Sequence, residues 1–361
     1  MKIDINVSSD VTRVASLVED AVASGYDGAW LSETRWDPFA GLAVAANGRP
    51  DIDIGTATII AFARTPMTVA VAARDIQALA HGRFMLGISS QIRPHITRRF
   101  SMPWSSPAPR MKEFISAVRA IWHTFETGEQ LAFEGDFYTH NLLPPEFNAG
   151  PSGFAPPPIL LGAVGVHMTR VAAQVADGLL LHPMASEHYI RTVALPAVAE
   201  AREKAGLSMD GFITRGMPYV ATGLDEDDLA DNIRAVRKQI AFHGSTPAYS
   251  HILEAHGWGD LHTELHTMSK NGQWDEMGHL IDDTVLHTFA VVGERATVAA
   301  ELDRRYGDLL TRLSIYVPYT PPEGLWEPIV SDLKSLRSSR DGGPGAVASQ
   351  PADNEKRNHD A

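Results

Sequence analysis

No cysteine occurs in the 361 residues. Disulfides, thiolate-bound zinc, iron–sulfur clusters and cysteine nucleophiles are therefore excluded by chemistry. Runs of Lys and Arg are missing too, and the formal net charge at pH 7 is -13. Neutralising a phosphate backbone or an anionic lipid surface takes clustered positive charge. Neither nucleic acid nor membrane is thus expected as a partner, and an anionic ligand must be met by a few local groups. Long apolar runs are the third absence. None approaches the length that spans a bilayer, and residues 1–7 are too short and too charged for the apolar core of a signal peptide. A soluble, cytoplasmic protein is expected.

What is present is ordinary globular material, 44% hydrophobic and 21% charged, enough to bury roughly three-quarters of the unfolded surface. Length alone allows two domains, but barrels of alternating strands and helices reach this size as one. Short Val- and Ile-rich runs alternate with longer stretches of helical period, the pattern of a parallel sheet with crossover helices. Eight candidate strands stand at 2–6, 28–32, 52–60, 84–89, 158–162, 178–182, 213–220 and 312–317. Most are continuously apolar, which implies burial on both faces. The expected fold is a (β/α)8 TIM barrel over residues 1–337.

Helical period is clearest where Met111, Phe114, Ile115, Val118, Ile121, Trp122 and Phe125 recur three and four apart. A second helix is expected over 68–81, stopped by Gly82. Two segments break the repeat. One insertion, at about 101–157 after the fourth strand, ends in a hairpin-like alternation around Gly135-Asp136 and a Pro-rich passage. The other, at about 242–288 between the last two strands, is rich in His and Gly with weak periodicity. Residues 338–361 hold almost no large apolar side chains, so a disordered tail is expected there.

In such barrels chemistry happens at the carboxyl ends of the strands. Glu33 emerges at the end of the second strand and is the leading polar active-site candidate. Residues 162–170 leave the fifth strand and open a helix, where free backbone N–H groups and the two glycines Gly162 and Gly165 suit a phosphate. The Gly-x-Gly-x-x-Gly fingerprint is absent, so a Rossmann site is not supported. His182 stands at the mouth after the sixth strand, where it lines a ligand pocket or serves as a satisfied structural histidine. His262 and His266 are four apart, but no spaced carboxylate accompanies them, and no metal site is expected. Arg98 and Arg99 offer local positive charge in an acidic chain.

Residues 53–60 (Asp-Ile-Gly-Thr-Ala-Thr-Ile-Ile), followed by Arg64-Thr65-Pro66, residues 84–89 (Phe-Met-Leu-Gly-Ile-Ser) and residues 160–165 (Leu-Leu-Gly-Ala-Val-Gly) together resemble the bacterial luciferase-like superfamily, specifically its F420-dependent branch. The resemblance runs over about residues 1–336. It implies a class 1 oxidoreductase that moves hydride between the deazaflavin coenzyme F420 and a small, fairly apolar organic substrate, working as a homodimer. It implies a cis peptide between Ala57 and Thr58 behind the ring, with Thr56 and Ala57 small enough for close approach. It assigns Ser89, Ser90, Gln91 and His95 to ring-edge and tail contacts, and Gly162, Ala163, Val164 and Gly165 to the coenzyme phosphate. The expected substrate pocket is roofed by Trp36, Phe62 and Trp104.

One departure matters. Several F420-dependent dehydrogenases have a catalytic His directly after the residue that Glu33 matches, whereas this chain has Thr34, which cannot exchange a proton near neutral pH. The proton must then come from Glu33, Asp37, His95 or water. Two alternatives remain open: an FMN-dependent two-component monooxygenase on the same fold, and a coenzyme-binding protein without turnover.

Overall fold

The apolar runs become strands in a computed structural model that describes residues 1–47 and 51–341. In chain order these are β1 (Lys2–Val7), β2 (Gly28–Leu31), β3 (Asp53–Thr56), β4 (Ile59–Ile60), β5 (Phe84–Ser89), β6 (Phe133–Glu134), β7 (Thr139–His140), β8 (Ile159–Ala163), β9 (Gly178–Leu181), β10 (Ile213–Gly216), β11 (Tyr219–Ala221), β12 (Ala290–Val292) and β13 (Arg312–Ser314). The main sheet runs β3-β2-β1-β13-β10-β9-β8-β5-β4, all parallel, and the β3–β5 pairing closes it. With β3 and β4 as one interrupted stave, this is the expected eight-stranded barrel.

The last expected strand, 312–317, is shorter than the apolar pattern and ends at Ser314, and two others are interrupted. The 52–60 run breaks after Thr56, where the Ala57–Thr58 peptide is cis. The 213–220 run breaks at Pro218, which has no N–H to give to a ladder. Beyond Pro218 the chain continues as β11, which stays bridged to Tyr316 just past β13 and pairs in parallel with β12. No sequence signal had marked β12.

Outside the barrel, the helix Pro66–Leu79 is capped by Thr65, whose side chain accepts from the Thr68 N–H. The helix Pro107–Thr127 buries its predicted stripe, from Met111 to Phe125, and Trp122 Nε1 donates to the Ala70 carbonyl at 3.0 Å. This helix falls inside the expected 101–157 insertion but packs as a crossover helix, so the irregular excursion is the β6–β7 hairpin and the Pro-rich segment after it. In the 242–288 segment short helices form at Ser250–Glu254, Gly259–Lys270 and Asp283–Phe289. The last helix, Trp326–Asp341, continues past residue 337. The rest of the expected tail, 342–361, lies outside the described residues.

Side chains pointing into the barrel form two layers. Trp30, Met85, Leu160 and Leu180 make an apolar layer with Ala57 and Ile213 against it. Gly55 lies beside it because a Cβ there would stand 2.5 Å from the Trp30 ring. The second layer is ionic. Asp4, with a fully buried side chain, accepts from Arg312 Nε and Nη2 at 2.8 and 2.6 Å and from Trp30 Nε1 at 2.8 Å. Arg312 also reaches Asp53 at 2.8 Å, and the Arg215 guanidinium lies 4.3 Å from the Trp30 ring centre.

Candidate functional site

A cavity of about 630 Å³ opens at the carboxyl ends of the strands. It collects residues from the ends of four staves: Ala57 and Thr58 after β3; Ser89, the last residue of β5, with Ser90 and Gln91 after it; Gly162 and Ala163, the last two of β8, with Val164 and Gly165 after them; and His182 after β9. Trp104 lines it as well. Thr56 does not. It is buried behind the wall, where its hydroxyl donates to the Gly87 carbonyl (2.7 Å) and accepts from the Gly87 N–H (2.8 Å).

The Ala57–Thr58 wall is pinned to β2 by backbone and hydroxyl groups. Ala57 N donates to the Leu31 carbonyl (2.8 Å), Ser32 Oγ donates to the Ala57 carbonyl (2.7 Å) and Glu33 N donates to the Thr58 carbonyl (3.2 Å). Thr58 and Ser89 share a hydroxyl–hydroxyl bond of 2.6 Å. Opposite, Gly165 precedes the helix Val166–Val175, which has no side-chain cap. The first N–H groups of a helix have no intrahelical partner, and here no side chain supplies one. A Cβ on Gly162 would stand 3.2 to 3.4 Å from Thr58, Ser89 and the Ile88 carbonyl, so glycine keeps the passage open.

The expected proton-handling residues lie elsewhere. Glu33 Oε2 accepts from Ile60 N (2.7 Å) and from Arg64 Nη1 (2.6 Å), and Arg64 Nη2 reaches Asp37 (2.6 Å). Neither carboxylate lines the cavity. His95 is exposed on the short helical turn His95–Arg99, and Arg99 donates to the Thr34 carbonyl. Of the expected roof only Trp104 contributes. Phe62 is buried beneath it, edge-to-face at 5.9 Å, and Trp36 is 40% exposed away from the cavity.

The profile of the Luciferase-like monooxygenase family matches residues 3–312. The chain belongs to that family. An uncharacterised protein of Mycobacterium tuberculosis is 45% identical to it over 313 residues, which cover 87% of this chain and 92% of that protein. The 5,10-methylenetetrahydromethanopterin reductase of Archaeoglobus fulgidus is 26% identical over 290 residues, covering 77% of this chain and 80% of the relative. A solved coenzyme F420 dependent tetrahydromethanopterin reductase from Methanopyrus kandleri shares the fold with a TM-score of 0.73 at 19% identity, over 93% of this chain and 99% of that one.

In this luciferase-like chain the cavity also holds groups the sequence reading passed over, among them Arg215, Met217 and Tyr249. Tyr249 comes from the His-rich segment. Its ring stacks on His182 at 4.4 Å, and its hydroxyl meets His182 Nε2 at 3.0 Å. Burial, helped by the neighbouring His243, pushes the His182 pKa down to about 3, so the ring is neutral. Met184 N–H donates to His182 Nδ1 at 3.2 Å. That nitrogen therefore carries the lone pair, and Nε2 carries the hydrogen that it donates to Tyr249. The Tyr249 hydroxyl hydrogen is left free to point into the cavity. Burial, with Tyr316 nearby, raises the Tyr249 pKa to about 12, so the phenol stays a neutral donor across the physiological range.

His262 and His266 take structural positions instead. Their Nδ1–H groups donate to the Gly244 and Ser245 carbonyls at 2.7 and 2.9 Å, tying the helix Gly259–Lys270 to the end of the helix Glu226–Gly244.

The two buried imidazoles make stability depend on pH. His182 and His243 fall from 6.5 to about 3 and about 4 in the fold, chiefly through burial. Between about pH 4 and 6.5 the unfolded chain binds protons that the native state refuses, so stability rises with pH across that window and is lost as pH falls. Each histidine contributes up to about 1.4 kcal/mol per pH unit. The guanidinium unfolding midpoint should drop from pH 6.5 to 4.5, and the drop should shrink in a His182→Gln/His243→Gln double variant. Equal slopes for the two proteins would remove the histidines as its source.

Proposed function

We propose that this chain is an F420-dependent oxidoreductase that moves hydride between the deazaflavin and a small, fairly apolar organic substrate. One observation carries the reading: a single cavity joins the pinned Ala57–Thr58 wall to the glycine-lined amide cradle of Gly162, Ala163, Val164 and Gly165. A flat ring needs such a backing, and a phosphate attached to it needs such donors. The residues present fit that group. Similarity to an archaeal reductase over most of both chains supports reduction rather than oxygenation as the reaction type.

When bound, the deazaflavin supplies two electrons and a proton together as hydride at one ring carbon. The protein's part is placement and proton control. Ala57 and Thr58 back the ring, Ser89, Ser90 and Gln91 edge it, and the amides from Gly162 to Gly165 hold the phosphate. Trp104, Met168 and Met217 give the cavity an apolar face that limits water near the substrate, alongside the cations Arg93 and Arg215. Glu33 and Asp37 act through Arg64, fixing the junction after β2 against the turn at Ala61–Ala63. In place of the absent histidine at residue 34, the Tyr249 hydroxyl, oriented by neutral His182, donates to a substrate oxygen as negative charge develops there. An alkoxide is far more basic than a phenolate, so the proton passes downhill despite the raised pKa.

Titrating the purified protein with F420 and with FMN, followed by coenzyme fluorescence, tests this directly. F420 should bind at least tenfold more tightly than FMN, and the reduced complex should consume no oxygen. Preference for FMN with substrate-dependent oxygen uptake would make it a monooxygenase. Failure to bind either coenzyme would overturn the reading altogether.

A further inference from the structure

Behind the amide cradle stand two donors that do not reach the cavity. The Val164 carbonyl accepts from the Tyr189 hydroxyl at 3.2 Å and from His251 Nε2 at 3.1 Å. A carbonyl can only accept, so Nε2 of His251 carries a hydrogen. Burial raises the Tyr189 pKa, so the phenol keeps its own hydrogen at neutral pH. The two rings meet edge-to-face at 5.8 Å. They arrive from separate elements, Tyr189 at the end of the helix Glu187–Tyr189 after β9 and His251 in the helix Ser250–Glu254. Val164 and Gly165 line the cavity, whereas Tyr189 and His251 do not.

Both donors therefore draw the Val164 oxygen away from the cavity. In a trans peptide the carbonyl and the following N–H point in opposite directions, so the Gly165 N–H is turned toward the cavity. It donates to nothing among the described residues. This orientation does not enforce itself. A Cβ on Gly165 would meet nothing within 4 Å, and glycine turns between backbone conformations more freely than any other residue. Flipped over, the same peptide would show an anion a carbonyl oxygen in place of a donor. With both lone pairs of the Val164 oxygen engaged, that flip breaks two hydrogen bonds at once.

We propose that Tyr189 and His251 are positioning residues that hold the Val164–Gly165 peptide with its N–H toward the cavity, so that the site favours a coenzyme carrying a phosphate over the same ring without one. The inference rests on the coenzyme reading above. The Gly165 amide gives a charge-assisted bond to the phosphate only while it faces it, and such a bond is roughly twice as strong as one between neutral groups. The ring is backed by Ala57 and Thr58, which neither tether touches. Loss of the tethers therefore acts on the phosphate and leaves the ring.

The test measures dissociation constants, by fluorescence, for F420 and for its deazaflavin alcohol, which keeps the ring and ribityl chain but has neither phosphate nor tail. The proteins compared are the wild type, Tyr189→Phe, His251→Gln and the double variant Tyr189→Phe/His251→Leu. The wild type should bind F420 about tenfold more tightly than the alcohol, or better, through charge-assisted bonds to the phosphate. His251→Gln keeps an N–H near the same carbonyl and should retain that ratio. The double variant should lower the ratio about fivefold or more while its affinity for the alcohol stays within about twofold of the wild type, since only hydrogen bonds behind the cradle are lost. An unchanged ratio in the double variant would overturn the proposal, as would an equal loss of affinity for both ligands, which a merely structural role predicts. If the double variant does not fold, an unchanged ratio in Tyr189→Phe overturns it equally. Equal affinity of the wild type for the two ligands would do so without any variant. Binding of neither ligand would instead bring down the coenzyme reading, and this proposal with it.

Discussion

Asp4→Asn is expected to lower the stability of the fold by about 3–5 kcal/mol, the usual cost of leaving buried charges without a partner. Asn keeps the shape of Asp and can still accept from Trp30 Nε1. What it removes is the one fully buried negative charge between Arg215 and Arg312. Arg312 would retain Asp53 at the edge of the cluster, whereas Arg215 would have no carboxylate within ion-pair distance among the described residues. The ion pair between Asp4 and Arg312 joins positions 308 residues apart, where the first and last barrel strands meet, so its loss weakens the closure of the barrel. A loss of this size is a large share of the roughly 5–15 kcal/mol by which domains are stable. Urea or guanidinium unfolding should show a lower midpoint with an unchanged slope. Adding Arg215→Met to Asp4→Asn should recover part of the loss, since one unpaired charge is then gone, and the coupling energy of the cycle measures the interaction. Strictly additive losses would show that Asp4 and Arg215 do not sense one another.

That cluster shows where a one-dimensional reading reaches its limit. The staves were legible because Val- and Ile-rich runs buried on both faces stand out from the helical period around them. Charges inside the barrel broke the pattern at residues 4, 215 and 312 without announcing a common location. Register supplies it: Arg215 pairs with Arg312 across β10 and β13, and Lys2 pairs with Arg312 across β13 and β1. Parity along these strands was the available signal. Glu33 is the opposite case, standing just past a strand end as expected, but held by a partner the sequence does not point to: Arg64, 31 residues on. Sequence spacing cannot report a contact made through the turn that follows β4.

The residues gathered in the cavity were legible mainly through resemblance, because Ser, Gly and Ala at loop positions carry no periodic signal. Tyr249 had no such help. It sits in a segment of weak periodicity, and only the fold brings it to His182. The strand β12 escaped for a simpler reason, since three residues after a helix offer too short a run to separate strand from helix end.

Gly87→Ala should be more damaging than its single methyl suggests. The added Cβ would lie 1.8 Å from the Thr56 carbonyl oxygen and 2.7 Å from Leu180 Cδ1. A side chain can turn away from such an overlap, but a strand carbonyl cannot. To make room β3 and β5 must separate, and both bonds between the Thr56 hydroxyl and the Gly87 backbone must stretch or break. Ordinary overpacking costs about 1–3 kcal/mol. Here a backbone clash and two buried hydrogen bonds combine, so a loss above about 4 kcal/mol is expected, in the range that marks a specific structural fault. Soluble yield and the unfolding midpoint report it, with Gly259→Ala as the control. At that helix start a Cβ would meet only Glu254 Cγ, at 3.8 Å, and the change should be neutral or slightly stabilising. Thr56 directly precedes Ala57, so a strand pair that accepts the methyl without loss would also be one soft enough to let the cavity wall shift. Wild-type-like unfolding of Gly87→Ala would therefore remove the rigid backing that the proposed ring site requires.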